Sequence, residues 1–206
     1  TTITTSKWTV MVYMNAANDL NSYAFENMND MEKVASNPDA RIVVQWKQAN
    51  GYSPDATFDG TRRYLVTHDH NSAINSSLAQ DLGGSVDMGS ADTLRQFVQW
   101  TETNYPAERY LLVVWNHGNG WRRTAKVTEG RAVSYDDSTG NAIQIWELDS
   151  TLQGLGLEAV VWDASLMQMA EVAGELSSVA SYMVGSEESP PGEGYPYASV
   201  LAPFES

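Results

Sequence analysis

Apolar positions along the chain follow two periods, and their alternation sketches the architecture. Residues 8–14 (WTVMVYM) are apolar or β-favouring on both alternating faces, the pattern of a strand covered on both sides. The run stops at the polar segment 15–19 (NAAND), after which Leu20, Tyr23, Ala24, Met28, Met31 and Val34 recur at helical spacing. This predicts an amphipathic helix over 20–34. Residues 40–46 read as a second strand. Residues 47–92 are rich in Gly, Asn, Asp and Ser and hold one clear strand, 62–67; a hairpin and long loops are predicted there. Residues 92–104 carry Leu94, Phe97, Val98 and Thr101 on one helical side, and Tyr105-Pro106 closes that helix. A third buried strand is predicted at 110–115, followed by a long exposed loop over 116–140 with a short hairpin in it. Then come a short helix at 145–152, a fourth strand at 157–162, a helix at 166–179 and a fifth strand at 180–185, with a Pro/Gly-rich loop from Ser186 onward. Strands alternating with helices predict one α/β domain of the doubly wound kind, a mainly parallel sheet flanked by helices.

Such a sheet gathers ligands and reacting groups outside the carboxyl ends of its strands. The third strand runs into Asn116-His117-Gly118 and the fourth into Asp163-Ala164-Ser165. If those strands are neighbours, His117 and Ser165 face one another as base and nucleophile for acyl transfer. Gly118 lets a backbone amide come close to a substrate, and with the amides at and after Ser165 it forms a candidate oxyanion hole. Each residue also has a plain structural reading. Ser165 with Gln168 three residues on is a capping box for the predicted helix, and His117 in a polar Gly-rich loop is a surface histidine. His68 and His70 flank Asp69 without a third ligand in view, so a solvated turn is favoured over a metal site. Trp8, Trp46, Trp115 and Trp162 fall in strands and read as core rather than as a sugar platform.

Charge narrows the classes further. Twelve Lys+Arg against 26 Asp+Glu leave a net charge of −14, which repels phosphate backbones and anionic lipid and attracts cations. Nucleic acid and membrane surfaces are therefore poor candidate partners. No apolar run is long enough to span a bilayer, and the opening TTITTS has neither the basic nor the apolar part of a signal peptide. The absence of cysteine rules out disulfides and thiolate metal sites, and leaves no thiol nucleophile.

Four segments, 8–20 (WTVMVYMNAANDL), 105–121 (YPAERYLLVVWNHGNGW), 163–171 (DASLMQMAE) and 182–197 (YMVGSEESPPGEGYPY), together resemble the clostripain family of the caspase-like clan, with gingipains and caspases. They fall in family order over nearly the whole chain. The resemblance implies a caspase-like fold and an endopeptidase built on a Cys/His dyad. The family's histidine lies in an N-H-G after a strand, matched by His117; its cysteine lies in D-A-C-L-M, and that position is Ser165. A hydroxyl is far less acidic than a thiol, so the resemblance implies a protein inactive or nearly so. A serine introduced to stop self-cleavage is favoured over a natural pseudoenzyme that binds basic peptides or a genuine serine variant.

The family cuts after Arg or Lys through an acidic residue in a P-G-D-G-W-like loop. Here Pro191-Gly192-Glu193-Gly194-Tyr195 puts Glu193 at that position, with Asp163 a second candidate for lining the pocket. Asp163 equally fits charge stabilisation of the helix predicted after it. Maturation in this clan by a cut between the two catalytic residues points to Arg122, Arg123, Lys126 and Arg131, and among them to the Arg131–Ala132 bond. Implied partners are peptides or proteins with Arg or Lys before the scissile bond, and the chain's own C-terminal segment. No metal ligands and no cofactor are assigned, although some members depend on calcium. Relatives are usually exported by bacteria, so a secreted or cell-surface mature form is implied. They usually continue past the Y-P-Y region, so residues 1–206 are expected to be a catalytic core truncated at its C-terminus. The competing class is a metal- or sugar-binding α/β module using the Asp/Asn/His-rich stretch 55–92.

Overall fold

A strand apolar on both faces has to be covered on both faces. In the computed structural model, which describes residues 4–34, 36–121 and 130–205, β1 (Ser6–Asn15) lies in the middle of a seven-stranded sheet. The chain continues through α1 (Asn21–Glu32), β2 (Ala40–Gln48), β3 (Gly60–Leu65), β4 (Ser77–Gly83) and α2 (Ala91–Asn104). Next come β5 (Ala107–Trp115), β6 (Ala132–Asp136), β7 (Asn141–Gln144) and α3 (Leu148–Leu152). It ends with β8 (Leu157–Asp163), α4 (Ala170–Leu176), β9 (Tyr182–Val184) and α5 (Tyr197–Leu201). The sheet order is β4-β3-β2-β1-β5-β8-β9. The β2, β1, β5, β8 and β9 strands run parallel to one another, while β3 is antiparallel to β2 and to β4, and this hairpin closes one edge.

Alternation along β1 divides the core in two. Val10, Val12 and Met14 pack with Met28 and Met31 of α1, Trp46, Trp115, Tyr197 and Leu201. Met11 and Tyr13 pack on the opposite face with Leu94, Phe97 and Val98 of α2, Trp162, and Val172 and Leu176 of α4. Each of these side chains removes apolar surface from water, at about 1.5–3 kcal/mol for a large one. Three of the four tryptophans expected in the core are there, and Trp8 is half-buried, edge-on to Phe204.

The β6–β7 hairpin stands apart from the main sheet and is fixed by a buried ion pair. Lys47, at the carboxyl end of β2, donates to Asp136 Oδ2 at 2.6 Å, to Val86 O at 2.7 Å and to Ser138 Oγ at 2.8 Å. All three ammonium hydrogens therefore have acceptors inside the protein. The other Asp136 oxygen accepts from the Ser138 amide and hydroxyl, and Oδ2 also accepts the Met88 amide.

Two expectations need correction. The helix predicted at 166–179 starts only at Ala170, because the Leu166 and Gln168 amides are taken by Glu188 O and Ser186 O, and Leu166 adopts φ +65. Apolar spacing could not reveal that competing segment. The tail from Ser186 is not all loop: Tyr197 and Leu201 bury against α1 and make α5 helical.

Candidate active site

The register across three strands builds the site. Met14 of β1 stands beside Trp115 of β5, and Trp115 beside Asp163 of β8. His117 and Ser165, each two residues past those partners, therefore leave adjacent parallel strands at the same carboxyl edge. Their loops touch. A Cβ on Gly118 would lie 2.7 Å from Ser165 O and 3.1 Å from Ala164 Cβ, so only glycine permits this approach. Both residues line two cavities in common, one of about 690 Å³ and one of about 160 Å³.

Several short contacts hold the histidine loop. Asn116 donates to Asn15 O at 2.5 Å and accepts from the Tyr135 amide at 2.7 Å. His117 O accepts from the Ser134 amide, and the Asn119 amide donates to Ala132 O. β6 thus clamps the loop from Asn116 to Asn119. The imidazole Nε2 lies 2.8 Å from Asp19 Oδ1, a contact with no forerunner in the sequence reading. Amides on either side of the candidate oxyanion donors are engaged, Asn119 to Ala132 O and Leu166 to Glu188 O. Those of Gly118 and Ser165 meet no protein acceptor among the described residues. Ser165 is not a helix cap, since Met169 holds the extended position before α4.

The smaller cavity is bounded by Leu20, Trp115, Asp163, Ser165, Pro190, Pro191, Gly192 and Gly194. Asp163 is 5% exposed. Its Oδ2 accepts from Tyr197 Oη at 2.8 Å and from the Tyr195 amide at 3.2 Å; Oδ1 has no hydrogen bond, and no cation pairs with the group, among the described residues. Burial pushes this carboxyl above its usual range, against the two hydrogen bonds that lower it. A Cβ on Gly194, which has φ +70, would strike Asp163 Oδ2 at 2.7 Å, so the glycine is what brings the 191–195 loop over the carboxylate.

Other predicted residues are placed apart. The Glu193 side chain is exposed and borders a separate cavity with Glu26, Asn27, Asp30 and Lys33, not the one beside Ser165. Arg131 adopts φ +58, its guanidinium stacks 4.7 Å from the Trp121 ring centroid, and its carbonyl accepts from Ile145 N. Ala132 is fully buried and pairs with Gln144. The Arg131–Ala132 bond is therefore shielded in the intact fold, contrary to the exposed loop expected there; Arg122, Arg123 and Lys126 lie outside the described residues. His68 and His70 pack edge-on at 4.6 Å. Among the described residues no three His, Asp or Glu side chains converge as a cation site.

Residues 12–206 match the family model described as the clostripain family. The chain belongs to that family. Clostripain from Hathewaya histolytica is 24% identical over 218 residues, covering 95% of this chain and 41% of that protein. An inactive zymogen protease of the family from Parabacteroides distasonis superimposes with a TM-score of 0.77 at 22% identity, over 98% of this chain and 54% of that one. A secreted cysteine protease of the family from Bacteroides thetaiotaomicron gives 0.76 at 20% identity, over 96% and 57%. This clostripain-family chain therefore has the caspase-like fold and spans about half the length of those relatives. No helix among the described residues is long and apolar enough to cross a membrane.

Proposed function

We propose that the chain is the catalytic scaffold of an exported endopeptidase that cuts after Arg or Lys, with Asp163 as the residue that pairs with the basic side chain. The observation that carries this reading is a buried carboxylate, one oxygen unpartnered, on a narrow cavity shared with Ser165 and His117. A guanidinium or ammonium entering there gains a charge-assisted partner, and a neutral side chain leaves the carboxylate desolvated and unmatched. Glu193, exposed on the neighbouring cavity, then contributes at most a distant negative field.

With cysteine at position 165 the chemistry is acyl transfer. The thiolate attacks the carbonyl carbon, the amides of Gly118 and residue 165 take the developing oxyanion, and His117 gives its proton to the leaving amine. Water then attacks the thioester, passing a proton to His117 and releasing the thiol. Serine at this position must first lose a proton that a thiolate has already shed, so the chain as written is slow or inert. The same pocket would let the serine form bind basic peptides without cutting them.

The test is Ser165→Cys in the full chain, assayed on fluorogenic peptides with Arg, Lys or norleucine before the scissile bond. Cleavage restricted to Arg and Lys is expected. Cleavage of norleucine peptides at a comparable rate overturns the specificity, and no cleavage with tight binding of basic peptides favours the non-catalytic binder.

A further inference from the structure

We infer that Asp19 is a positioning residue for His117, holding the neutral imidazole with its proton on Nε2 so that Nδ1 is the nitrogen facing the chemistry at position 165. The inference rests on the peptidase reading above, and it adds a third member to a site read from sequence as a pair.

The contact follows from how the turn after β1 is held. Asn15 Oδ1 accepts the Ala17 amide and Asn15 Nδ2 donates to Ser134 Oγ. Asn18 Oδ1 accepts the Leu20 amide at 3.0 Å, an Asx turn, and Asn18 Nδ2 donates to Tyr135 O at 3.1 Å. Asn116 Nδ2 ties the Asn15 carbonyl to the strand beside it. Three asparagines thus fix the turn between the ends of β1 and β5 and against β6. Asp19 arrives at the His117 ring because β1 and β5 are neighbours, and its Oδ1 sits 2.8 Å from Nε2.

The chemistry of the two groups fixes the proton. An ionised carboxylate only accepts, and a neutral imidazole has one N–H, so a hydrogen bond at this distance puts that N–H on Nε2. Nδ1 is left with its lone pair, the form a general base needs, and an imidazolium formed there keeps the carboxylate at its back. The His117 main chain is held independently by the Ser134 amide, so removing Asp19 frees the ring without freeing the loop. Both side chains are substantially exposed, 45% for His117 and 77% for Asp19. Such a pair adds little to folding, which leaves orientation as its role.

Two measurements on the full chain decide the matter. The first is ¹⁵N NMR of the neutral imidazole nitrogens in the Ser165 protein, with Asp19→Ala beside it. The Nε2–H form is expected to dominate in the parent. In Asp19→Ala, which removes the acceptor, the Nε2 resonance should move to that of an unpaired histidine. The second is kinetics in the Ser165→Cys background, where Asp19→Ala should lower kcat roughly 10- to 100-fold with KM within about twofold. A parent ring protonated on Nδ1, an Nε2 resonance unmoved by Asp19→Ala, or a loss confined to KM overturns the inference. If Ser165→Cys cuts no peptide at all, the peptidase reading fails, and the NMR result still decides what Asp19 does to His117.

Discussion

Two carboxylates lie buried at the carboxyl edge of the same sheet, and they are provided for in opposite ways. Asp136 is fully buried and saturated: Lys47 at 2.6 Å, the Met88 amide, and both the amide and hydroxyl of Ser138. Asp163 is nearly as buried but has a tyrosine hydroxyl and one amide on a single oxygen, with no cation. A buried charge is tolerated when its partners are internal and complete. A buried charge with a vacancy facing a cavity is a site awaiting an external partner, and its upward-shifted carboxyl registers that incompleteness. The first carboxylate fastens the hairpin that clamps His117; the second is left open to the cavity it shares with Ser165.

The contrast can be broken most forcefully at Lys47. Lys47→Met strands Asp136 without its counter-charge and should lower unfolding stability by about 3–5 kcal/mol in urea titrations. A loss below about 1 kcal/mol would mean that the hairpin does not depend on the pair.

At Asp163 the expected effect is on recognition, not folding. In the Ser165→Cys background, Asp163→Asn should reduce kcat/KM for Arg and Lys peptides by roughly two orders of magnitude, from about 2–3 kcal/mol of charge-assisted pairing. The pH dependence has a definite sign. The folded carboxyl is raised, so the empty pocket favours the proton, and that contribution to stability is present at low pH and lost as pH rises through the raised value. A cationic side chain favours the ionised form instead. Affinity for basic peptides should therefore climb as pH rises through that value, and Asp163→Asn should flatten the climb in a binding titration.

The smallest effect sharpens the comparison by its absence. Glu193→Gln removes an exposed charge from the neighbouring cavity and should change cleavage of Arg peptides by less than about threefold, as weakly coupled surface charges do. A drop as large as that at Asp163 would return Glu193 to the pocket.

Much of the fold was legible in the chain, and for one reason. Residues 8–14 and 110–115 are apolar or β-favouring on both faces, and a strand of that kind fits between two layers of helix. The strand ends then fell just before His117 and Ser165, and the pairing of β5 with β8 made those ends neighbours. Local pattern failed where a distant segment competed for the same backbone groups. Ser165 and Gln168 spell a capping box, yet residues 186–188 take the amides of Leu166 and Gln168 before a helix can start.

What the chain by itself determined is the layering, the edge at which chemistry collects, and the absence of any thiol to perform it. Which carboxylate borders the cavity beside Ser165 was decided only in three dimensions. Glu193 and Asp163 are both acidic residues near a motif, and nothing local separates them. Burial does, because desolvation acts on a charge through everything packed around it: Tyr195, Tyr197 and Gly194 from the far end of the chain enclose Asp163 and leave Glu193 in water. Asp19 was equally hidden, 98 residues from His117 in sequence. Only the pairing of β1 with β5 brings those two side chains within a hydrogen bond.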